Sequence, residues 1–404
     1  MSPHSLPIAE RLSALGALLN ASAALWRPAP FHYAVQPWAG DYPVLFEAIA
    51  KLSAGQVEAF HADEPALRGW LQGFIPGMGD LNALVDVPRW SAAPMPRSGL
   101  HAPERDVPGR KWAQIEALGG LALAQLDQAG EVLDWCAGKA HLGRLIGLHS
   151  GLPVRSLERD AALCAQAERL AARDGIALTA EVCDVLALPP GHVLAPGTLA
   201  CALHACGDLH LTLLDQAQSA SPAGLLIAPC CYHRTSRAIY RARSSVGRAC
   251  GLALGREDLR VAVLETATAG HAQREADKRR KARLLALQHW GAQHGRALQD
   301  YARLRDLARG EYGAALRRAC ERLAWPLPDA DALVELLAHG ERRAAEVRAF
   351  ELIRAAIRRP LELWLVLDMA LGLEEAGFAV EVGEFCAGAI TPRNLLIRAR
   401  RAQP

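Results

Sequence analysis

No apolar run in this 404-residue chain reaches the length that a bilayer crossing needs, so nothing in it reads as a membrane span. The amino-terminal stretch has no basic head, and Pro3, Pro7, Glu10 and Arg11 interrupt it, so a secretion signal is not expected. The expected compartment is the cytoplasm. Charge of one sign is lacking too: 45 Lys and Arg stand against 43 Asp and Glu, a net of +2. That balance excludes a whole-molecule attraction to polyanions, and any nucleic-acid surface has to be a local patch. Ten cysteines in a long chain without an export signal do not read as a disulfide framework. Cys201 and Cys250, set in apolar runs, are expected to be small buried hydrophobes. Internal repeats and low-complexity tracts are missing. Hydrophobic residues at 51% and charged residues at 22% describe a globular chain with room for two or three domains.

One further absence is local. The stretch "VLDWCAGKAHLGRL", Val132 to Leu145, reads as a strand, an acid, a small-residue turn and a helix. The Gly-x-Gly-x-x-Gly of a dinucleotide loop is not there: Ala137-Gly138 is followed by Ala140, and Gly143 comes later. A pyrophosphate needs close backbone approach and hence those glycines. A cofactor without phosphate tolerates a looser turn.

Residues 1–110 are expected to form a mainly helical N-terminal region, opened by the amphipathic "IAERLSALGALLNASAALW". The stretch "SAAPMPRSGLHAPERDVPGR" reads as a linker or exposed loop. Residues 111–404 are expected to form a second domain. Within it "EVLDWCA", "LPVRSLERD", "IALTAEVCDV", "GTLACALHACGD" and "AGLLIAPCCYH" read as strands separated by helices. That alternation argues for a parallel, doubly wound sheet with right-handed connections. Residues from about 236 to 360 break it as a helical insertion, and "AVEVGEFC" and "NLLIRARRA" add two late strands. A five-strand α/β core closed by a late pair is the Rossmann-like sheet of a class I methyltransferase, mostly parallel with an antiparallel last strand.

Such sheets bind ligands at the carboxyl ends of their strands. Asp134 ends the first strand and is placed to meet an amino-acid amine. Glu158 ends the second and suits a ribose diol, because a carboxylate accepts from both hydroxyls. Asp184, followed by Val185, ends the third and suits an adenine amino group. Cys136, Ala137, Gly138, His141 and Leu142 are expected to line the turn, with Arg159 beside Glu158; Lys139 is expected to face solvent. This set favours S-adenosylmethionine over a dinucleotide. Methyl transfer then asks for positioning and, for some acceptors, a base. His204, Cys206, Asp208, Cys230, Cys231 and His233 gather at the ends of strands four and five as catalytic candidates. Tyr232 offers a face for stacking, and Arg234 a charge for the substrate.

The adjacent Cys230 and Cys231 leave three readings. One is a nucleophile attacking C6 of a pyrimidine. Another is a zinc site of Cys206, Cys230, Cys231 and a histidine, although zinc cysteines ordinarily stand at C-x-x-C spacing. The third, a turn that only sets shape, is the expectation, with no metal. Lys278, Arg279, Arg280 and Lys281, near His289 and Trp290, form the basic run that suits RNA; a solvated helix face is the competing reading.

The segments "DWCAGKAHLGR", "LHACGD", "APCCYHR" and "ITPRNLLI" resemble a group of class I methyltransferases marked by D-x-C-x-G-K-x-H-L, H-x-C-G and P-C-C-Y. A tRNA ribose 2′-O-methyltransferase is related to that group. The likeness runs from Lys111 to Arg234 and over the last twenty or so residues. It implies S-adenosylmethionine as cofactor and leans towards tRNA or rRNA as acceptor. Ala140 replaces a common glycine, and the tRNA enzyme's Cys and His zinc-finger spacing is missing near the N-terminus. A protein or small-molecule acceptor, or a catalytically silent binding subunit, stands as the alternative.

Overall fold

The computed structural model describes residues 6–91, 107–220, 222–264, 271–298 and 301–401. Most of the stretch expected to be a linker lies outside them. The apolar runs become β1 (Glu131–Trp135), β2 (Val154–Glu158), β3 (Leu178–Val182), β4 (Thr198–Cys206) and β5 (Gly224–Cys230). The late pair forms β6 (Phe378–Glu384) and β7 (Leu395–Arg401). Together they make a seven-stranded sheet in the order β3-β2-β1-β4-β5-β7-β6, with β7 antiparallel to both of its neighbours. This is the Rossmann-like sheet, mostly parallel with an antiparallel last strand, that the sequence pattern implies.

Helices His141–Ser150 and Ala161–Asp174 carry the chain from β1 to β2 and from β2 to β3, and Asp208–Ser219 carries it from β4 to β5. The strand order turns back between β1 and β4, so their carboxyl ends flank the crevice where such sheets take ligands. Burial follows position in the sheet. All of β5 is buried, as an apolar strand covered on both faces should be, while the edge strand β3 is only half covered. Leu118, Val132, Leu142, Leu145, Ile146, Leu199 and Leu226 share one core cluster. Each such side chain contributes roughly 1.5–3 kcal/mol on burial. Arg144 and Asp174 form a fully buried ion pair beneath it.

The chain divides into two compact units that cut across the expected boundary at residue 110. One comprises Met1–Ala23, Gly77–Glu265 and Ile357–Pro404, and the other Ala24–Pro76 and Thr266–Ala356. Helix Ile8–Ala21 belongs to the sheet-bearing unit, where Gly16 lies against Cys250 and Trp364 and where Leu12, Leu15 and Leu19 are buried. The second unit has its own core, with Leu284, Leu287, Leu304, Leu316 and Leu336. Helix His271–Gln293, which carries the basic run, lies in it. A periodic pattern reveals an apolar stripe but not which remote element covers it. Among the described residues, no helix is long and apolar enough to cross a membrane.

Candidate active site

The turn after β1 is left-handed at every second residue: Cys136 has φ 57°, Gly138 59° and Ala140 51°. Two of these carry side chains in a region that L-residues avoid, so the surroundings must hold them there. Glu158 does part of this. Its Oε2 accepts from Gly138 N at 3.0 Å and its Oε1 from Asp160 N at 3.1 Å. Asp134, 3% exposed, accepts from Gly143 N at 2.8 Å, and burial pushes its carboxyl up to about 7. A Cβ at Gly143 would stand 2.9 Å from Val154 Cγ1 and 3.0 Å from Asp134 Cβ, so glycine lets the helix settle on the strands. Cys136, Ala137 and Gly138 are half-buried and Lys139 is exposed. His141 and Leu142 are buried: the His141 ring meets Arg144 Nη1 at 3.2 Å and Leu142 joins the core, so both side chains support the turn. Asp184 is exposed and accepts from Leu186 N at 3.1 Å; Val185 behind it is buried, and Arg159 is exposed.

The ends of β4 and β5 are tied together by irregular backbone. Register slips between Leu203 and Cys206, and His204 sits at φ 67°. This bulge sets Cys206 opposite Cys230. Gly207 N then donates to Cys230 O at 3.1 Å, Asp208 N to Arg234 O at 3.1 Å, and Arg234 N to Cys231 O at 2.8 Å. Cys231 is itself left-handed, at φ 49°. The sulfurs of Cys206, Cys230 and Cys231 consequently lie within 4.8 Å of one another, with Cys206 and Cys230 at 3.5 Å. The thiols of Cys206 and Cys230 both bear on Cys231 and hold it well below the usual thiol range, helped by Arg393 and Arg234.

Residues 110–238 match the family model described as a methyltransferase domain. The match covers about a third of the chain. The match runs from the helix before β1 to just past the double cysteine. No curated protein matches the chain. Among solved structures it is similar to the geranyl diphosphate C-methyltransferase of Streptomyces coelicolor A3(2), at 19% identity over 35% of this chain and 59% of that one, with a TM-score of 0.24. The chain thus spans about three-fifths of that enzyme's length. YjhP of E. coli matches at 14% identity over 76% of this chain and 96% of that one, with a TM-score of 0.27. The 16S rRNA methylase RmtB matches at 16% identity over 55% and 83%, with a TM-score of 0.23.

Glu158 spends two of a carboxylate's four acceptor sites on the backbone, which leaves two free to accept. Asp184 is open to solvent. On the acceptor side His204 is exposed, and His233 is half-buried with its imidazole pKa lowered, chiefly by burial. Asp208 is a poor base: burial alone would raise its carboxyl, but hydrogen bonds from Ser236 and Thr235 outweigh that and hold it below the usual range.

Two expectations about the substrate side need correction. Tyr232 is 5% exposed, its hydroxyl donates to Pro229 O at 3.4 Å and its ring packs edge-on to His210, so it offers no open face for stacking. Lys281 is held by both carboxylate oxygens of Glu351 at 3.0 Å, and Lys278 pairs with Glu275 at 3.2 Å. Lys278 and Arg279 remain exposed; Arg280 and Lys281 are half-buried, and Arg234 is exposed. The sequence reading passed over Lys111, whose charge bears on Asp134 and His204, and Arg393, whose charge bears on Cys231 and His233. The "TPRN" of the closing motif was the available signal for Arg393.

Proposed function

We propose that the chain is an S-adenosylmethionine-dependent methyltransferase whose acceptor is RNA. One observation carries the cofactor half: Asp134 and Glu158, at the ends of β1 and β2, both hold the turn after β1, and Asp184 follows β3, on the sheet edge where β4 and β5 bring three thiols together. When bound, the cofactor supplies a methyl carbon made electrophilic by sulfonium. The chain's own residues orient the acceptor and receive a proton where the acceptor sheds one, with exposed His204 and half-buried His233 as the groups of suitable chemistry. RNA is supported by the exposed Lys278 and Arg279 in the basic run.

The decisive experiment adds radiolabelled methyl donor and purified protein to fractionated RNA and protein from a strain lacking the gene. Label in the RNA fraction is expected. Label confined to protein or small molecules would replace the acceptor, and no label together with no thermal shift by S-adenosylhomocysteine would leave a silent binding subunit. Changing Lys278, Arg279 and Arg280 to Gln should lower RNA affinity and flatten its salt dependence with little loss of stability. Lys281 is left intact because of its pairing with Glu351. An unchanged salt slope would return the run to a solvated face.

Two results are expected for the cofactor side. Glu158→Ala should weaken cofactor binding by roughly 1–3 kcal/mol, since it removes charge-assisted hydrogen bonds and also frees Gly138 N. Calorimetry with wild-type affinity would move the ribose site elsewhere. Asp134 makes binding pH-dependent. Its pKa without cofactor, about 7, is raised by burial, and a cationic ligand favours the ionised form. Affinity should therefore rise with pH up to and through neutrality, with proton release below it. Titrations in buffers of different ionisation enthalpy count that proton, and Asp134→Asn should abolish it. A wild-type release that persists in Asp134→Asn would assign the proton to another group.

A further inference from the structure

We infer that Cys206, Cys230 and Cys231 form a three-thiolate site for a zinc-class divalent cation at the carboxyl ends of β4 and β5. The inference does not rest on RNA, or any other molecule, being the acceptor. Adjacent cysteines ordinarily point apart, which is why C-x-x-C spacing is the usual way to bring two sulfurs to one metal. Two backbone features remove that obstacle here. The slip at Leu203 to Cys206, with His204 left-handed, sets Cys206 beside Cys230 on neighbouring parallel strands. The left-handed Cys231 then folds its side chain back towards the other two. The three sulfurs lie within 4.8 Å of one another, and one pair stands at 3.5 Å. Zinc–thiolate bonds of about 2.3 Å at tetrahedral angles set sulfurs about 3.8 Å apart, so a cation fits with small side-chain adjustments.

The surroundings suit such an ion. Cys230 is buried and the other two are half-buried, so the thiolates have little water to compete with a metal. Three thiolates and one divalent ion leave a net negative charge, and the positive charges of Arg234 and Arg393 bear on Cys231. Binding replaces the remaining S–H protons, which pass to solvent; nothing is oxidised or reduced. The fourth position is left to a donor outside the trio. His233, two residues past Cys231, has a buried Nδ1 with no hydrogen-bond partner among the described residues. The turn after β1 lies close by, since Cys206 and Cys136 are within electrostatic reach of each other.

The test uses the full chain, produced with zinc in the medium and purified without chelators or a metal-binding tag. Elemental analysis should find about one zinc per chain, bound through a structured thiolate site. Cobalt exchanged into the wild-type protein should give the near-ultraviolet sulfur-to-cobalt bands and the intense visible bands of a tetrahedral thiolate complex. Cys206→Ser and Cys231→Ser should each lose the metal, while Cys183→Ser keeps it. The cobalt spectrum is read on the wild type, so it decides the matter even if a variant fails to fold. Metal-free wild-type protein from zinc-replete cells, a cobalt spectrum without sulfur bands, or a Cys206–Cys230 disulfide in freshly purified protein would each overturn the site.

Discussion

Gly207→Ala is expected to unlock the ends of β4 and β5. Gly207 sits at φ 58° and ψ −124°, outside the regions open to residues with a side chain. A Cβ there would lie 1.8 Å from the carbonyl oxygen of Arg234 and 2.6 Å from its carbon. The obstacle is backbone, not the free end of a side chain, so relief requires the Cys231–Arg234 turn to move away. That movement breaks the bonds from Gly207 N to Cys230 O and from Asp208 N to Arg234 O. Strained conformations of this kind cost about 1–3 kcal/mol by themselves, and the collision adds to it, for a total above about 4 kcal/mol. Gly138→Ala is the matched control. It too has positive φ, at 59°, but nothing lies within 4 Å of its Cβ position, so only the left-handed cost of about 1–2 kcal/mol applies. Urea unfolding midpoints, measured on both, separate the cases. A Gly207→Ala protein as stable as Gly138→Ala would contradict the crossing of these two segments.

The contrast shows what is legible in the chain. Strands covered on both faces must be apolar throughout, so β1, β4 and β5 stand out, and an acid closing such a run marks a carboxyl end. The late strands do not follow that rule, since β6 is only partly covered; their place after the five-strand core is what suggested the antiparallel closure. Side-chain direction was not legible. Cys230 and Cys231 read as divergent because ordinary backbone makes neighbours diverge, and only the left-handed Cys231 reverses that. Tyr232 sits beside a motif and looks available, yet its position in the turn drives the ring inward onto His210. Lys281 looks like part of a basic patch until Glu351, seventy residues away in sequence, claims it. Each of these depends on a remote partner or a rare backbone angle, and neither leaves a local pattern.

Asp368→Ala is expected to destabilise the sheet-bearing unit by about 3–5 kcal/mol, because it removes several hydrogen bonds to a buried carboxylate and leaves their donors unmet. Asp368 is fully buried in helix Ala330–Glu374. Its Oδ2 accepts from Tyr240 Oη at 2.8 Å and Arg243 N at 2.7 Å, and its Oδ1 from Ser244 N at 3.0 Å and Ser244 Oγ at 2.7 Å. The segment that receives this clamp follows the double-cysteine turn, and Ser244 in turn caps helix Ser245–Ala249 through Gly247 N at 2.8 Å. Deleting the carboxylate strands two backbone donors away from water, each worth about 1–3 kcal/mol. Asp368→Asn should rescue only part of the loss: one oxygen still accepts, but the amide turns a donor towards groups that are donors themselves. The expected order of thermal midpoints is wild type, then Asn, then Ala, with the largest loss of hydrogen-exchange protection at Arg243 and Ser244. Equal midpoints for all three proteins would mean that the segment is held by other contacts, and that the carboxylate is incidental to keeping the turn after β5 in place.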